Sequence, residues 1–304
     1  MKLLALFILS ILPGLAAAET SSELCKTYTK LEDIQSEQKK LGFSDARLTQ
    51  WHKAEKEASV TVSIHGLNLK PDKMTDVIGL FNQSKSSVLN VTLQGHGENF
   101  ESFEEVTKDK WVQEFHNAYC IAFNYASKKK IPLYFFGYST GGTVAIAAKI
   151  RNEKYEFKKQ VLMAPALKMT KFANLIRVIF PFEFLNIPSS NKNDYIAHKS
   201  TPIPAYKALF QLSDEILDNE EVNLNNSETL ILIDPRDELV SYEGLIEIIE
   251  DRGLSNWSMF TVFTSTDRSK TRAPHHSIID EYFSGKEVWS QIATKTKSFL
   301  KTGT

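Results

Sequence analysis

The sequence predicts an α/β fold, a mostly parallel, doubly wound sheet with a helical cap insertion. Two observations carry this expectation. Apolar, β-branched runs alternate with helical patterns from residue 59 to residue 302, the order that builds βαβ units. Several of those runs read as continuous apolar strands, the mark of a sheet covered on both faces.

The expected strands are Val60–Ile64, Ser87–Leu93, Leu133–Phe136, Gln160–Met163, Thr229–Ile233 and Met259–Phe263. Helices are expected over Asp109–Ser127, where Trp111, Phe115, Ala118, Tyr119 and Ala122 recur at helical spacing, and over Thr140–Ile150, Ser241–Arg252 and Lys286–Leu300. No repeat, low-complexity tract or Pro/Gly-rich linker divides 59–302, so this span reads as one domain. Within it, about 168–226 shows no clear strand and reads as a cap or outer-shell insertion. Residues 19–58 are polar and read as a helical segment of undefined role.

Residues 1–18 read as a signal peptide. Lys2 precedes a thirteen-residue apolar stretch from Leu3 to Leu15, and Ala16-Ala17-Ala18 supplies a cleavage site before Glu19. That stretch is short of the roughly 20 residues that span a bilayer. Cys25 lacks the small residues that precede a lipid-modified cysteine. The expectation is a secreted or periplasmic protein with no permanent membrane anchor. Its two cysteines, Cys25 and Cys120, then invite one disulfide, with two free thiols as the alternative. A net charge of −1 gives no basic surplus for nucleic acid.

Gly137-Tyr138-Ser139-Thr140-Gly141 follows an expected strand and opens an expected helix. A serine in that turn is held with its Oγ exposed, and the glycines let strand and helix approach. A serine that merely caps the helix is the alternative reading. Two further polar loops follow later strands: Asp234-Pro235-Arg236-Asp237-Glu238-Leu239-Val240, and the loop ending in His275-His276-Ser277. Open α/β sheets gather their sites at this strand end.

With Ile64-His65-Gly66-Leu67-Asn68 and Gln94-Gly95-His96-Gly97 added, residues 59–302 resemble the α/β-hydrolase superfamily, and within it serine esterases and monoacylglycerol-lipase-like enzymes. The resemblance implies Ser139 as nucleophile, Asp237 as acid and His276 as base. It prefers Asp237 to Asp234 and Glu238, and His276 to His275. It also implies an oxyanion hole from the N–H groups of Thr140 and Leu67, with His65 shaping the loop instead of moving protons. His96 belongs to a tight turn nearby. His52, His116 and His198 carry no motif.

In the insertion, Phe172, Leu175, Ile176 and Ile179 fall on one helical stripe, ended by Pro181. Phe180, Phe182 and Phe184 add apolar groups beyond what one stripe buries. Phe172, Ile176, Ile179, Phe180 and Phe184 are therefore expected to contact substrate, a small-molecule or lipid ester with an apolar chain. No metal-ligand spacing or phosphate-binding lysine loop is present, so no metal or cofactor is expected. The expected activity is carboxylic ester hydrolysis through an acyl-enzyme. The alternatives are an acyltransferase and a catalytically inactive binding protein on the same fold.

Overall fold

The computed structural model describes residues 22–189, 194–221, 223–224, 227–265 and 274–301. The expected leader, 1–18, lies outside the described residues. All six expected strands form, as β2 (Ser59–Ile64), β3 (Ser86–Val91), β4 (Leu133–Tyr138), β5 (Lys159–Met163), β8 (Glu228–Ile233) and β9 (Trp257–Thr261). They pair in parallel in the order β3-β2-β4-β5-β8-β9. A seventh strand, β1 (Gln50–His52), runs antiparallel on the outer edge of β3, with Trp51 opposite Leu89.

β1 corrects the reading of 19–58 as wholly helical. That segment contains helix α1 (Leu31–Lys40), but it then joins the sheet. Three residues with one apolar side chain leave no periodic trace in the sequence. The strand is fixed by contacts instead: the Trp51 ring lies 4.9 Å from that of Tyr125, and Lys53 Nζ sits 4.1 Å over Trp51 and 3.7 Å over Tyr125.

Alternation along the strands divides the core in two. Val60, Val62, Ile64, Leu89, Phe135, Leu162 and Ile231 face one layer of helices: α3 (Lys108–Lys129), α4 (Thr140–Arg151), α5 (Ile203–Asp218) and α6 (Tyr242–Asp251). Val88, Tyr134, Phe136, Val161, Leu230 and Leu232 face the other, built by α2 (Thr75–Gln83) and α7 (Lys286–Lys301). Both faces are covered, which is why these strands read as continuously apolar. Helix α3 starts where the Thr107 side chain accepts the Lys110 N–H and ends at Lys130, whose φ of 56° is left-handed.

Cys25 and Cys120 form a disulfide that ties the N-terminal segment to α3 across 95 residues of sequence. Both cysteines lie in the first core. A cross-link closing a loop of that length removes about 4–5 kcal/mol of denatured-state entropy on the chain-entropy account.

The insertion is more structured than the sequence suggests. The expected stripe is an α-turn, Lys171–Asn174, running into a 3₁₀ turn, Leu175–Ile179. The reading that no strand occurs here is corrected by β6 (Asn186–Pro188) and β7 (Ser200–Pro202), which form a separate antiparallel ribbon. Strands of three residues containing proline fall below what alternation detects. α5 then returns the chain to the first core, packing on α4.

Candidate active site

Ser139 stands where β4 passes directly into α4, with φ 49° and ψ −114°. A non-glycine residue with positive φ costs roughly 1 kcal/mol or more and persists only where its surroundings hold it. Here its N–H donates to Met163 O at 2.9 Å, and its carbonyl accepts from Gly142 at 3.0 Å and Ala166 at 3.3 Å. The flanking glycines are required by close approach. A Cβ on Gly137 would lie 2.6 Å from Gly142 N, and one on Gly141 would lie 2.2 Å from Ile64 O.

The loops after β8 and β9 deliver a carboxylate and an imidazole to this serine. Asp237 Oδ2 accepts from His276 Nδ1–H at 2.7 Å, and His276 Nε2 lies 2.9 Å from Ser139 Oγ. A carboxylate can only accept, so Nδ1 carries the proton and Nε2 takes the serine O–H. Asp237 Oδ1 is aimed by the N–H groups of Leu239 and Val240, at 2.8 and 2.9 Å. Tyr138 O–H donates to the His276 carbonyl at 3.2 Å. All three side chains are nearly buried.

The other candidates are otherwise engaged. Glu238 is exposed. Asp234 is fully buried and accepts from Arg236 (N, Nε and Nη2) and from Thr264 (N and Oγ1). Burial alone would raise its pKa, but these hydrogen bonds outweigh burial and hold the carboxyl at about 2. His275 Nδ1–H donates to Thr264 Oγ1 at 2.7 Å. Asp234 and His275 thus form a second array that ties the β8 and β9 loops together.

His65 and His96 are wholly buried, with ring centroids 4.3 Å apart. His65 Nδ1–H donates to Gly66 O, and its Nε2 accepts from Leu93 N–H at 3.2 Å. Burial pushes it down to about 4, so it stays neutral and shapes the loop. His96 Nε2 accepts the Asn68 N–H at 2.9 Å. Among the described residues, neither the Leu67 N–H nor the Thr140 N–H has a hydrogen-bond acceptor. Thr140 directly follows Ser139 in the first turn of α4, and Leu67, in the loop after β2, lines the same cavity as Ser139.

The Gln94-Gly95-His96-Gly97 turn is held from α3. Glu114 accepts the Gln94 N–H at 2.8 Å, and Trp111 Nε1–H donates to Gln94 O at 3.1 Å. Burial pushes the Glu114 carboxyl from its ordinary 4.5 up to about 7. The native state therefore holds a proton that the unfolded state releases between those values, and stability falls as pH rises through that window. Glu114→Gln keeps an acceptor but cannot ionise. Its stability relative to wild type should improve by roughly 2–3 kcal/mol between pH 4.5 and 8. Urea unfolding of both proteins across that range checks it; a pH-independent difference would refute the shift.

Beside Ser139 opens a cavity of about 630 Å³ beneath the insertion. Phe172, Ile176 and Ile179 line it together with Leu67, Ser139 and His276. Two expected residues do not. Phe180, the residue after the 3₁₀ turn, instead packs edge-on against Phe210, centroids 5.5 Å apart. Phe184 is 78% exposed. Residues unforeseen from the sequence complete the wall: Ile187 and Pro188 of the ribbon, and Tyr206, Leu209 and Phe210 of α5. The last three recur at i, i+3, i+4, a spacing that could have revealed them. No charged side chain lines the cavity among the described residues. None of their His, Cys, Asp and Glu side chains cluster as a metal site would require.

Residues 55–208 match the sequence profile of the serine aminopeptidase S33 family. The chain belongs to that family. This S33-family hydrolase is also similar in structure to the monoglyceride lipase of Saccharomyces cerevisiae, solved with a substrate analogue, at 11% identity and TM-score 0.68 over 83% of this chain and 90% of that one. A metagenome-derived lipolytic enzyme is similar at 16% identity and TM-score 0.65, over 83% and 97%. The monoacylglycerol lipase of Paleococcus ferrophilus follows at 15% and 0.59, over 82% and 98%. At such identities these likenesses establish the α/β-hydrolase fold. No curated protein sequence matches.

Proposed function

We propose that this hydrolase cleaves carboxylic esters of apolar acyl chains through an acyl-enzyme on Ser139. The observation that carries the reading is the continuous array from Asp237 through His276 to Ser139, opening onto an apolar cavity. In the proposed reaction His276 Nε2 takes the Ser139 proton as Oγ bonds to the acyl carbon. The carbonyl oxygen, now negative, receives the Leu67 and Thr140 N–H groups. Asp237 stabilises the imidazolium, which protonates the departing alcohol. Water then repeats the sequence and releases the acid.

The family's name suggests peptides, but the uncharged cavity wall favours an ester. An aminopeptidase site pairs its substrate's terminal ammonium, and a bare ammonium in an apolar cavity is costly. An acyl chain against Phe172, Ile176 and Ile179 gains up to about 0.8 kcal/mol per methylene, roughly fourfold in rate. With p-nitrophenyl esters of increasing length, kcat/KM should climb over several carbons and then level. Ile179→Ser should flatten the climb while sparing the acetyl ester, and Phe184→Ser should leave it intact. Equal rates from acetyl to octanoyl would refute the acyl pocket.

We further propose that the protein works outside the cytoplasm after cleavage before Glu19. The leader-like residues 1–18 and the Cys25–Cys120 bond support this. N-terminal sequencing of protein from its native host tests it; a chain still beginning at Met1 would overturn it.

A further inference from the structure

The backbone of Asn68 adopts φ 54°, a left-handed conformation that favours glycine. Asparagine is tolerated there when its side chain finds partners, and this one is saturated. It is 4% exposed. Its Oδ1 accepts the His198 N–H at 2.8 Å, and its Nδ2 donates to His198 O at 2.8 Å, Thr201 Oγ1 at 3.1 Å and Ser200 O at 3.5 Å. The main chain joins in: Asn68 O accepts the Ala197 N–H at 2.9 Å, and Lys70 N–H donates to Tyr195 O at 2.8 Å. Leu69 and Ile196 pair as an isolated antiparallel bridge.

All these partners belong to the insertion, and Ser200 and Thr201 belong to the ribbon that walls the cavity. On its other side, Asn68 N–H is received by His96. Leu67, immediately before it, carries a proposed oxyanion donor. The loop presenting that donor is therefore fastened between the buried His96 and the cap.

We propose that Asn68 is a positioning residue, one that fixes the Leu67 N–H by anchoring the oxyanion loop to the cap ribbon. The proposal rests on the reading of Ser139, His276 and Asp237 given above. Asn68 borders the cavity, but its hydrogen bonds go to His96 and the insertion and none goes to Ser139, His276 or Asp237. Its effect falls on the tetrahedral state, where the donor is needed, and not on the bound ester. Displacing a donor by a fraction of an ångström to 1 Å costs about 10- to 100-fold in rate.

Asn68→Gly retains the backbone conformation and removes all four side-chain bonds. Its kcat on p-nitrophenyl acetate should fall about 10- to 100-fold with KM within about twofold of wild type. Affinity for an alkyl boronic acid, which forms a tetrahedral adduct on serine, should fall by a similar factor. Thr201→Val, which deletes one of the four bonds, should lower kcat and boronate affinity in parallel by a smaller factor. It serves as the deciding variant if Asn68→Gly fails to fold. A merely structural role would lower melting temperature while leaving kcat per folded molecule and boronate affinity unchanged, and that result would overturn the proposal alone. Wild type lacking any Ser139-dependent turnover would overturn the site reading and this proposal with it.

Discussion

Ser139→Ala is expected to abolish ester hydrolysis, lowering kcat by at least about a thousandfold. The change deletes one oxygen whose role is the 2.9 Å contact with His276. The turn itself is held by the main chain, through Met163, Gly142 and Ala166, and by the two glycine contacts with α4 and β2. Alanine occupies the same strained φ at similar cost, so the melting temperature should move by no more than a few degrees. The cavity also stays formed, so a fluorescent fatty acid should still bind. A fluorophosphonate should label wild type and leave the variant unlabelled, because labelling requires an activated serine oxygen. A purified variant retaining even a few per cent of the activity would place the nucleophile elsewhere.

The sheet was legible because its strands are buried on both faces. Leu230 to Ile233 is apolar throughout, and Val60 to Ile64 carries only the small polar residues Thr61 and Ser63, both buried, among its apolar ones. The serine turn was legible because Gly137, Ser139 and Gly141 fall within five consecutive residues between an expected strand and an expected helix, although the contact that requires Gly141 comes from Ile64 on the neighbouring strand. What stayed hidden depends on residues distant in sequence. β1 exists because Trp51 meets Tyr125, and β6 and β7 exist because they pair with each other. Phe180 read as a pocket residue because its apolar surface exceeds what the Phe172–Ile179 stripe buries; that surface packs on Phe210 instead, a residue of a helix 30 positions further along the chain. His198 carries no motif, yet its Nε2–H donates to Gly95 O at 3.1 Å and its backbone clasps Asn68. That role is visible only once 130 residues of chain have closed.

The neighbouring histidines supply the sharpest contrast. His276→Ala should match the serine variant in kcat, since it removes the imidazole nitrogen that lies 2.9 Å from Ser139 Oγ. His275→Ala removes a ring that faces Thr264, so its activity should stay within about tenfold of wild type, the cost of a slackened loop. The acids should divide the same way. Asp237→Asn puts an amide donor or a neutral oxygen where the Nδ1–H needs a carboxylate; kcat should fall by about 10³–10⁴ with KM little changed. Asp234→Asn instead strips the negative charge that holds the Arg236 guanidinium and two Thr264 donors in a buried site. Its main effect should be on stability, a loss of roughly 2–4 kcal/mol near neutral pH, with kcat of the folded fraction close to wild type. Steady-state kinetics paired with urea melts for the four variants separates the two arrays. If Asp234→Asn proved the dead enzyme and Asp237→Asn the unstable one, the acid would have to be moved three residues back and the site redrawn around His275.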